Sequence, residues 1–354
     1  MKPGPKPRPT VKLIAAKAGL SGAAVSLALR DHPSIPPATR ARIKRLADQL
    51  GYRVDPNVSR LMAYLRQRPQ ARATGIIGVL HLFPTAKPWR ENPSLRRIHT
   101  AATERAAQFG YELEECWLAE PGMTAARKRD ILLARGIEGL LVLGTPQWVE
   151  NIDFDFGPFA CAATGYSLRT PLHRACQHQY QEMFTALRHL DALGYRRPGL
   201  VLTEDSDRRT MQHWSAAFLA NQRHWAEDRR IPPLFMPDLN EATFRTWFRA
   251  ERPDVVVAHR GASTVVREWL PAAGKQVPAT CGFADLDVDD ESETPYSGIR
   301  QNNEQVSAAA IDLVIGQLQR HERGLPKFPK IVLVEGEWVD GVTTRARSSR
   351  AAVS

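Results

Sequence analysis

Cysteine is scarce in this chain: four in 354 residues, at positions 116, 161, 176 and 281. No two are close enough for a Cys-x-x-Cys pair, and no Cys/His cluster has zinc spacing, so a metal module is not expected. Four unpaired thiols suit a reducing cytoplasm. No uncharged apolar run reaches the ~20 residues of a membrane-spanning helix. The first nine residues are basic and proline-rich, without the apolar run of a signal peptide. Neither a membrane partner nor export is expected. There is no G-x-G-x-x-G after the first predicted strand and no P-loop. No nucleophile and base stand at a motif spacing. The chain therefore reads as a non-enzyme, with no catalytic residues and no cofactor.

Acid is also missing where base is plentiful. Residues 1–70 hold 14 Lys and Arg against only Asp31, Asp48 and Asp55, a net of +11. The whole chain carries +10, so residues 71–354 are close to neutral. One small unit holds the entire excess, the distribution of a nucleic-acid-binding module. The 43% hydrophobic content is ample for a real core elsewhere.

That basic unit has helical periodicity. Val11, Leu13, Ile14, Ala15 and Ala18 give a first helix its apolar face, and Gly19 stops it. Ser21 is placed to cap a second helix from about Gly22 to Leu29. Val25 and Leu29 share its inner face. Gly22, Ala23, Ser26 and Leu27 are left toward the outside. Pro36 and Pro37 suit the start of a third helix. Its inner face is Ile43, Leu46, Ala47 and Leu50, Gly51 is its expected C-cap, and Arg40, Arg42, Lys44 and Arg45 lie on the other faces. A helix, a glycine turn and a helix at this spacing suit the unit that lays its second helix in the major groove.

Beyond residue 74 the pattern changes to alternating strands and helices. Strands are predicted at 75–82, 111–116, 139–143, 159–164, 198–203, 232–236, 254–258, 278–283 and 331–334. Helices are predicted at 94–109, 123–135, 176–193, 208–223, 241–250, 261–270 and 303–321. The alternation implies parallel sheets with helices on both faces. It divides into two similar α/β lobes with a ligand cleft between them, at the carboxyl ends of the strands. Phe83, after the first strand, and Trp148 are candidates for an aromatic cleft wall.

The run from Val11 to Leu65 resembles the headpiece of the LacI/GalR family of bacterial transcription regulators. The recognition-helix run of that family corresponds here to Leu20-Ser-Gly-Ala-Ala-Val-Ser-Leu27, followed by Thr39-Arg40 and Gly51-Tyr52-Arg53. The hinge corresponds to Pro56-Asn57-Val58-Ser59-Arg60-Leu61. Looser landmarks lie at 165–168, 193–197 and 338–343. The resemblance implies a small all-α helix-turn-helix headpiece joined by a hinge to an α/β core of two similar lobes, of the periplasmic-binding-protein-like type I. It divides the chain into a basic arm (1–9), a DNA-binding domain (10–55), a hinge helix and linker (56–73) and an effector-binding and dimerisation domain (74–354). Crossings between lobes are expected near 165–168, 293–300 and 322–330.

By the same resemblance, Gly22, Ala23, Ser26 and Leu27 face the bases, and Leu61 wedges into the minor groove. Ser21, Arg40, Arg53, Asn57, Val58 and Arg60 hold phosphates or support the hinge. The family's ligand-facing arginine falls near His213, its asparagine–aspartate pair is His259-Arg260 here, and the first aspartate of its glycine–phenylalanine–aspartate–aspartate loop is Ala284, leaving Asp285. With Phe83 and Trp148 these are the candidate effector residues. Losing one carboxylate and gaining His259 and Arg260 shifts the expected ligand from a plain sugar toward a sugar derivative or an anion. The implied function is a repressor, dimeric on a palindromic double-stranded operator and controlled by a small-molecule effector. Two other readings stay open: a DNA-binding protein whose core only dimerises, and a solute-binding or enzymatic α/β protein with an incidental basic N-terminus.

Overall fold

Three helices come first: α1 (Val11–Ala18), α2 (Gly22–Leu29) and α3 (Pro37–Gln49). The computed structural model describes residues 11–29, 34–50, 52, 75–288 and 296–346. Gly19 ends α1 at φ +67°, a left-handed conformation that costs glycine little. The Ser21 hydroxyl accepts from the Ala24 amide at 3.2 Å and caps α2. Pro36 and Pro37 open α3, and the Tyr52 amide closes it on the Ala47 carbonyl at 2.9 Å. Gly51, the expected C-cap, lies outside the described residues.

The three helices bury Ile14, Ala15, Val25, Ala28, Ile43 and Ala47, with Leu20, Leu29, Leu46, Leu50 and Tyr52 packed around them. Leu13 was expected inside but is 42% exposed. Adjacent helix positions are rotated by roughly 100°, so Ile14 and Ala15 fill the narrow inward stripe and turn Leu13 out. The Arg42 guanidinium donates to the Ala18 carbonyl at 3.1 Å, tying α3 to the last turn of α1, where a cation is favoured.

From residue 75 the described chain runs β1 (Gly75–His81), α4 (Pro93–Gln108), β2 (Tyr111–Trp117), α5 (Ala125–Ala134), β3 (Gly139–Val142), β4 (Ala160–Thr164) and β5 (His173–Gln177). It continues through α6 (Gln179–Ala192), β6 (Pro198–Thr203), α7 (Glu204–Arg209), α8 (His213–Gln222), β7 (Leu234–Met236), α9 (Glu241–Glu251), β8 (Val255–Ala258) and α10 (Gly261–Ala272). Last come β9 (Gly282–Asp285), β10 (Gly298–Arg300), α11 (Asn303–Arg320), β11 (Ile331–Val334) and β12 (Glu337–Val339). The strands form two six-stranded sheets, ordered β11-β5-β4-β3-β1-β2 and β12-β10-β9-β8-β6-β7. All pairings are parallel except β10 with β12. Each sheet has apolar clusters on both faces, as a parallel sheet between helices must.

Several elements differ from the sequence reading. Residues 176 and 177 belong to β5, and the helix begins only at Gln179. β5 is invisible to an apolar-run search because it buries charge. The Arg174 guanidinium is satisfied by the carbonyls of Gly165, Leu168 and Thr170 at 2.8–3.1 Å. The His173 ring accepts from the Lys330 amide at 2.9 Å. The helix expected over 208–223 is two helices, broken where Met211 and Gln212 take φ +56° and +60°. The Thr203 hydroxyl caps the first of them through the Ser206 amide at 3.1 Å, so it starts earlier than its apolar pattern. The strand expected at 278–283 starts at Gly282, because Thr280 bonds back to Gln276 in a turn. β10 and β12 have three residues each, too few to show a period.

The crossings also move. β4 and β5 share a sheet, as do β5 and β11, so the chain does not change lobes at 165–168 or 322–330. It changes lobes at His178, at Gln301 and Asn302 (just past the expected 293–300), and at Glu335 and Gly336. One hydrogen bond joins each pair of crossings. His178 N donates to Val334 O at 2.8 Å, the Asn302 side chain donates to Glu335 O at 2.9 Å, and the Gln177 amide donates to the Asn303 side chain.

The landmarks at 193–197 and 338–343 now have a structural reason. The Tyr195 hydroxyl accepts from the Arg345 amide at 3.0 Å, and Thr343 bonds to Phe283 O and Ser297 N at 2.9 and 3.0 Å. The end of the described chain is thereby laced onto the second lobe. A Cβ on Gly282 would lie 2.3 Å from the fixed Tyr195 hydroxyl, while one on Gly261 would meet only Leu239 at 3.6 Å. Gly282→Ala is expected to cost about 1–3 kcal/mol through overpacking. Gly261→Ala is expected to be nearly neutral, and thermal melting of the two variants checks the contrast.

Candidate functional site

Two places on the described chain carry candidate function. The first is the outer side of α2 and α3. Ser21 and Gly22 are exposed and Leu27 is half-buried. The side chains of Ala23 and Ser26 are outside the described residues, as are Arg53, Asn57, Val58, Arg60 and Leu61. Arg40 is half-buried, and Arg42, Lys44 and Arg45 are exposed on α3. Gly22 offers no side-chain hydrogen bond to a base edge. The described side chains of this surface are cationic, with the apolar Leu27 among them.

The second is a cavity of about 290 Å³ between the two lobes. The first lobe lines it with Phe83, Asn92, Leu143, Thr145, Thr164 and Tyr166, and the second with Ser206, Arg209, His259 and Arg260. Beside the crossings it is lined by Gln177, Gln179, Gln301 and Asn303. Most of these residues follow the carboxyl end of a parallel strand, where such a fold leaves room for ligand.

The lobes touch across the cavity. Arg209 donates through Nη2 to the Thr145 carbonyl at 3.1 Å. Arg169 points Nη1 at the Met211 sulfur at 3.1 Å. The Tyr166 and His213 rings meet edge to face at 4.8 Å. The left-handed pair Met211 and Gln212 lies in the chain between Arg209 and His213.

Of the residues expected to face an effector, Phe83, His259 and Arg260 line the cavity. His213 supports it from behind, through Tyr166. Trp148 is not among the lining residues; its indole donates to Glu150 at 3.2 Å. Asp285 is not among them either. It is turned into the second lobe, where one oxygen accepts from the Ser263 hydroxyl at 2.9 Å and the Asp287 amide at 3.0 Å. Arg209, Gln177, Gln301 and Asn303 are functional candidates that sequence reasoning missed. Arg209 sits in a short helix with no apolar pattern, and the other three reach the cavity only because the crossings bring them there.

The electrostatics of the cavity are specific. His259 is buried, with Nδ1 2.6 Å from the Ser206 hydroxyl. Burial, then Arg260 and Arg209, hold it well below the usual histidine range, so it is neutral at pH 7. Burial and Arg260 lower the Arg209 guanidinium from its usual value. Burial, reinforced by Asp287, pushes the Asp285 carboxyl up to about 6. Among the described residues no group of three or more His, Cys, Asp or Glu could hold a metal ion. None of the described helices is long and apolar enough to cross a membrane.

Comparison with known proteins agrees with this architecture. Residues 187–344 match the periplasmic binding protein-like domain family. An uncharacterised HTH-type transcriptional regulator of Streptomyces limosus is 25% identical over 359 residues, covering 94% of this chain and 96% of its own. The lac repressor dimer, solved bound to operator and the anti-inducer ONPF, superposes with a TM-score of 0.54 at 18% identity, over 96% of this chain and all of its own. The complex of the transcriptional regulator CelR with cellobiose gives 0.54 and 18% over 95% of this chain and all of its own. The chain is similar in sequence to an HTH-type transcriptional regulator and shares the fold of the lac repressor and of a LacI transcriptional regulator from Rhodococcus. In this chain the cavity lies within the two-lobed core that follows the N-terminal helices.

The raised Asp285 makes a signed prediction for this protein. Its unfolded value is near ~3.9, so between about pH 4 and pH 6 the folded protein holds more protons than the unfolded chain. Stability attributable to this group therefore falls as pH rises through that window and stays lower above it. Asp285→Asn is expected to gain on the parent protein as pH rises from about 4 to 6, with a flat difference beyond. Melting temperatures in a pH series check this, and a difference independent of pH would count against it.

Proposed function

We propose that the protein is a sequence-specific DNA-binding transcription regulator, acting as a dimer and repressing until a small carbohydrate-like or anionic effector binds between the lobes. One juxtaposition carries the reading. An N-terminal segment, residues 1–70, that holds the whole net positive charge and contains a three-helix unit is joined in one chain to a two-lobed core with an interlobe cavity. Two such units on a two-fold axis would meet the half-sites of a palindrome. Gly22, Ala23, Ser26 and Leu27 face the bases in this reading, Ser21, Arg40 and Arg53 hold phosphates, and Leu61 wedges at the centre, supported by Asn57, Val58 and Arg60. Related proteins solved with operator and with cellobiose support both halves of the proposal.

The effector acts by biasing lobe closure. Arg209 to Thr145 and Tyr166 to His213 are interlobe contacts at the cavity wall. A ligand that binds one closure state better than the other shifts their balance, and by no more than that difference in affinity.

The test is selection of DNA from a random pool by the full-length protein, at stated salt because phosphate contacts are strongly salt dependent. A two-fold symmetric site is expected. Leu61→Ala is expected to weaken that site about tenfold or more while leaving nonspecific binding in place. Leu27→Arg is expected to change the base preferred under α2. Recovery of no symmetric sequence would sink the proposal, and an unchanged preference for Leu27→Arg would remove position 27 from the base-reading set.

A further inference from the structure

We propose, building on the ligand-responsive reading above, that the cleft takes a hydroxylated small molecule bearing an oxyanion, a carboxylate or a phosphate, held by Arg209 and Arg260. The first observation is an imbalance of charge. Among the described residues lining the cavity there is no Asp or Glu, while two guanidinium groups line it from the second lobe. Neutral His259 adds no charge of its own.

The second observation is that neither guanidinium is neutralised at hydrogen-bonding distance. Arg209 meets Asp205 only at 3.7 Å, and Arg260 meets Asp287 only at 3.7 Å. Several arginines elsewhere in the chain are paired more closely, as Arg105 with Asp312 at 2.7 Å and Arg320 with Glu322 at 2.7 Å. Arg209 has one nitrogen on the Thr145 carbonyl, and its buried Nε has no hydrogen-bond partner among the described residues. A guanidinium offers five N–H donors in a fixed fork that matches an oxyanion. The two arginines also repel one another, since Arg260 depresses Arg209. An anion between them removes that repulsion and supplies the missing acceptor.

The third observation concerns what the cavity lacks for a neutral sugar. A carboxylate is the strong acceptor for a pair of hydroxyl donors. The nearby candidate, Asp285, is engaged with Ser263 and the Asp287 amide and does not line the cavity. The remaining polar groups are amides and hydroxyls, suited to the rest of a hydroxylated skeleton, and Phe83 supplies an apolar wall. α4, α10 and α11, of 16, 12 and 18 residues, also begin at the cavity and direct their positive ends toward it.

The experiment is calorimetric titration of the full-length protein with D-glucose and with three anions of related skeleton: D-gluconate, D-glucuronate and D-glucose 6-phosphate. At least one anion is expected to bind tenfold or more tightly than glucose, and whether it carries a carboxylate or a phosphate identifies the oxyanion. Arg209→Gln and Arg260→Gln are each expected to weaken that anion by roughly ten- to a hundredfold, the range of a charged hydrogen bond. Melting curves show that each variant is folded, and the more exposed Arg260 keeps the test open if the Arg209 variant is not. Glucose binding as tightly as every anion, or no anion binding at all, would overturn the assignment. So would anion binding that both folded variants retain. Selection of a symmetric DNA site is a separate measurement, so a wrong ligand class and a wrong regulator reading give different results.

Discussion

The core depends on three chain crossings held together by three hydrogen bonds. His178, the pair Gln301 and Asn302, and the pair Glu335 and Gly336 carry the chain between the sheets. The bonds from His178 to Val334, from Asn302 to Glu335 and from Gln177 to Asn303 link each crossing to the other two. Space there is tight: a Cβ on Gly336 would lie 2.6 Å from the Arg300 carbonyl and 2.8 Å from the Glu182 carboxyl. Glu182 is itself buried, and burial, then Asp287, raise it well above the usual carboxylate range. Gln177, Gln301 and Asn303 are at once parts of that junction and walls of the cavity, so a ligand bound there would touch the chain crossings directly.

The same geometry gives the cleft its electrical character. The second lobe contributes the cations, the first contributes carbonyls, hydroxyls and an aromatic wall, and the acid at the end of β9 is turned inward. Asp285 shows how. Its place at the end of β9 would suit a ligand carboxylate, but hydrogen bonds to Ser263 and Asp287 commit it to the lobe interior. Neutral His259 behaves similarly, spending one ring nitrogen on Ser206. Free charge in the cleft is left to guanidinium groups, which keep theirs under burial better than any other side chain.

Much of the fold is legible in the sequence because most elements are built from patterns of one residue's reach. Strands β1, β3, β6 and β8 are apolar runs, and α3, α4, α9 and α11 are periodic segments of ten or more residues with clear stops. Gly19, Gly110 and Gly194 mark ends where a positive φ is needed, at +67°, +77° and +85°. The failures share a cause. β5 buries Arg174 and His173, which are satisfied by carbonyls of the folded loop before the strand and by the amide of distant Lys330. α7 and α8 are separated by two non-glycine residues in a left-handed conformation that no local preference favours. β10 and β12 are strands only because they pair, Gly298 to Arg300 against Glu337 to Val339.

By itself the sequence determined the basic helical unit with its caps, the alternating α/β character of the remainder, and the charge division between them. These follow from periodicity, glycine and proline positions and counts of ionisable groups, all of which are local or additive. Only the tertiary structure decided which residues share the cleft. Arg209 and Thr145 are 64 positions apart, and Gln177 and Asn303 are 126 apart. Their meeting is set by sheet order and by where the chain changes lobes. Pairing partners and crossing points are choices among distant segments, so no local pattern encodes them.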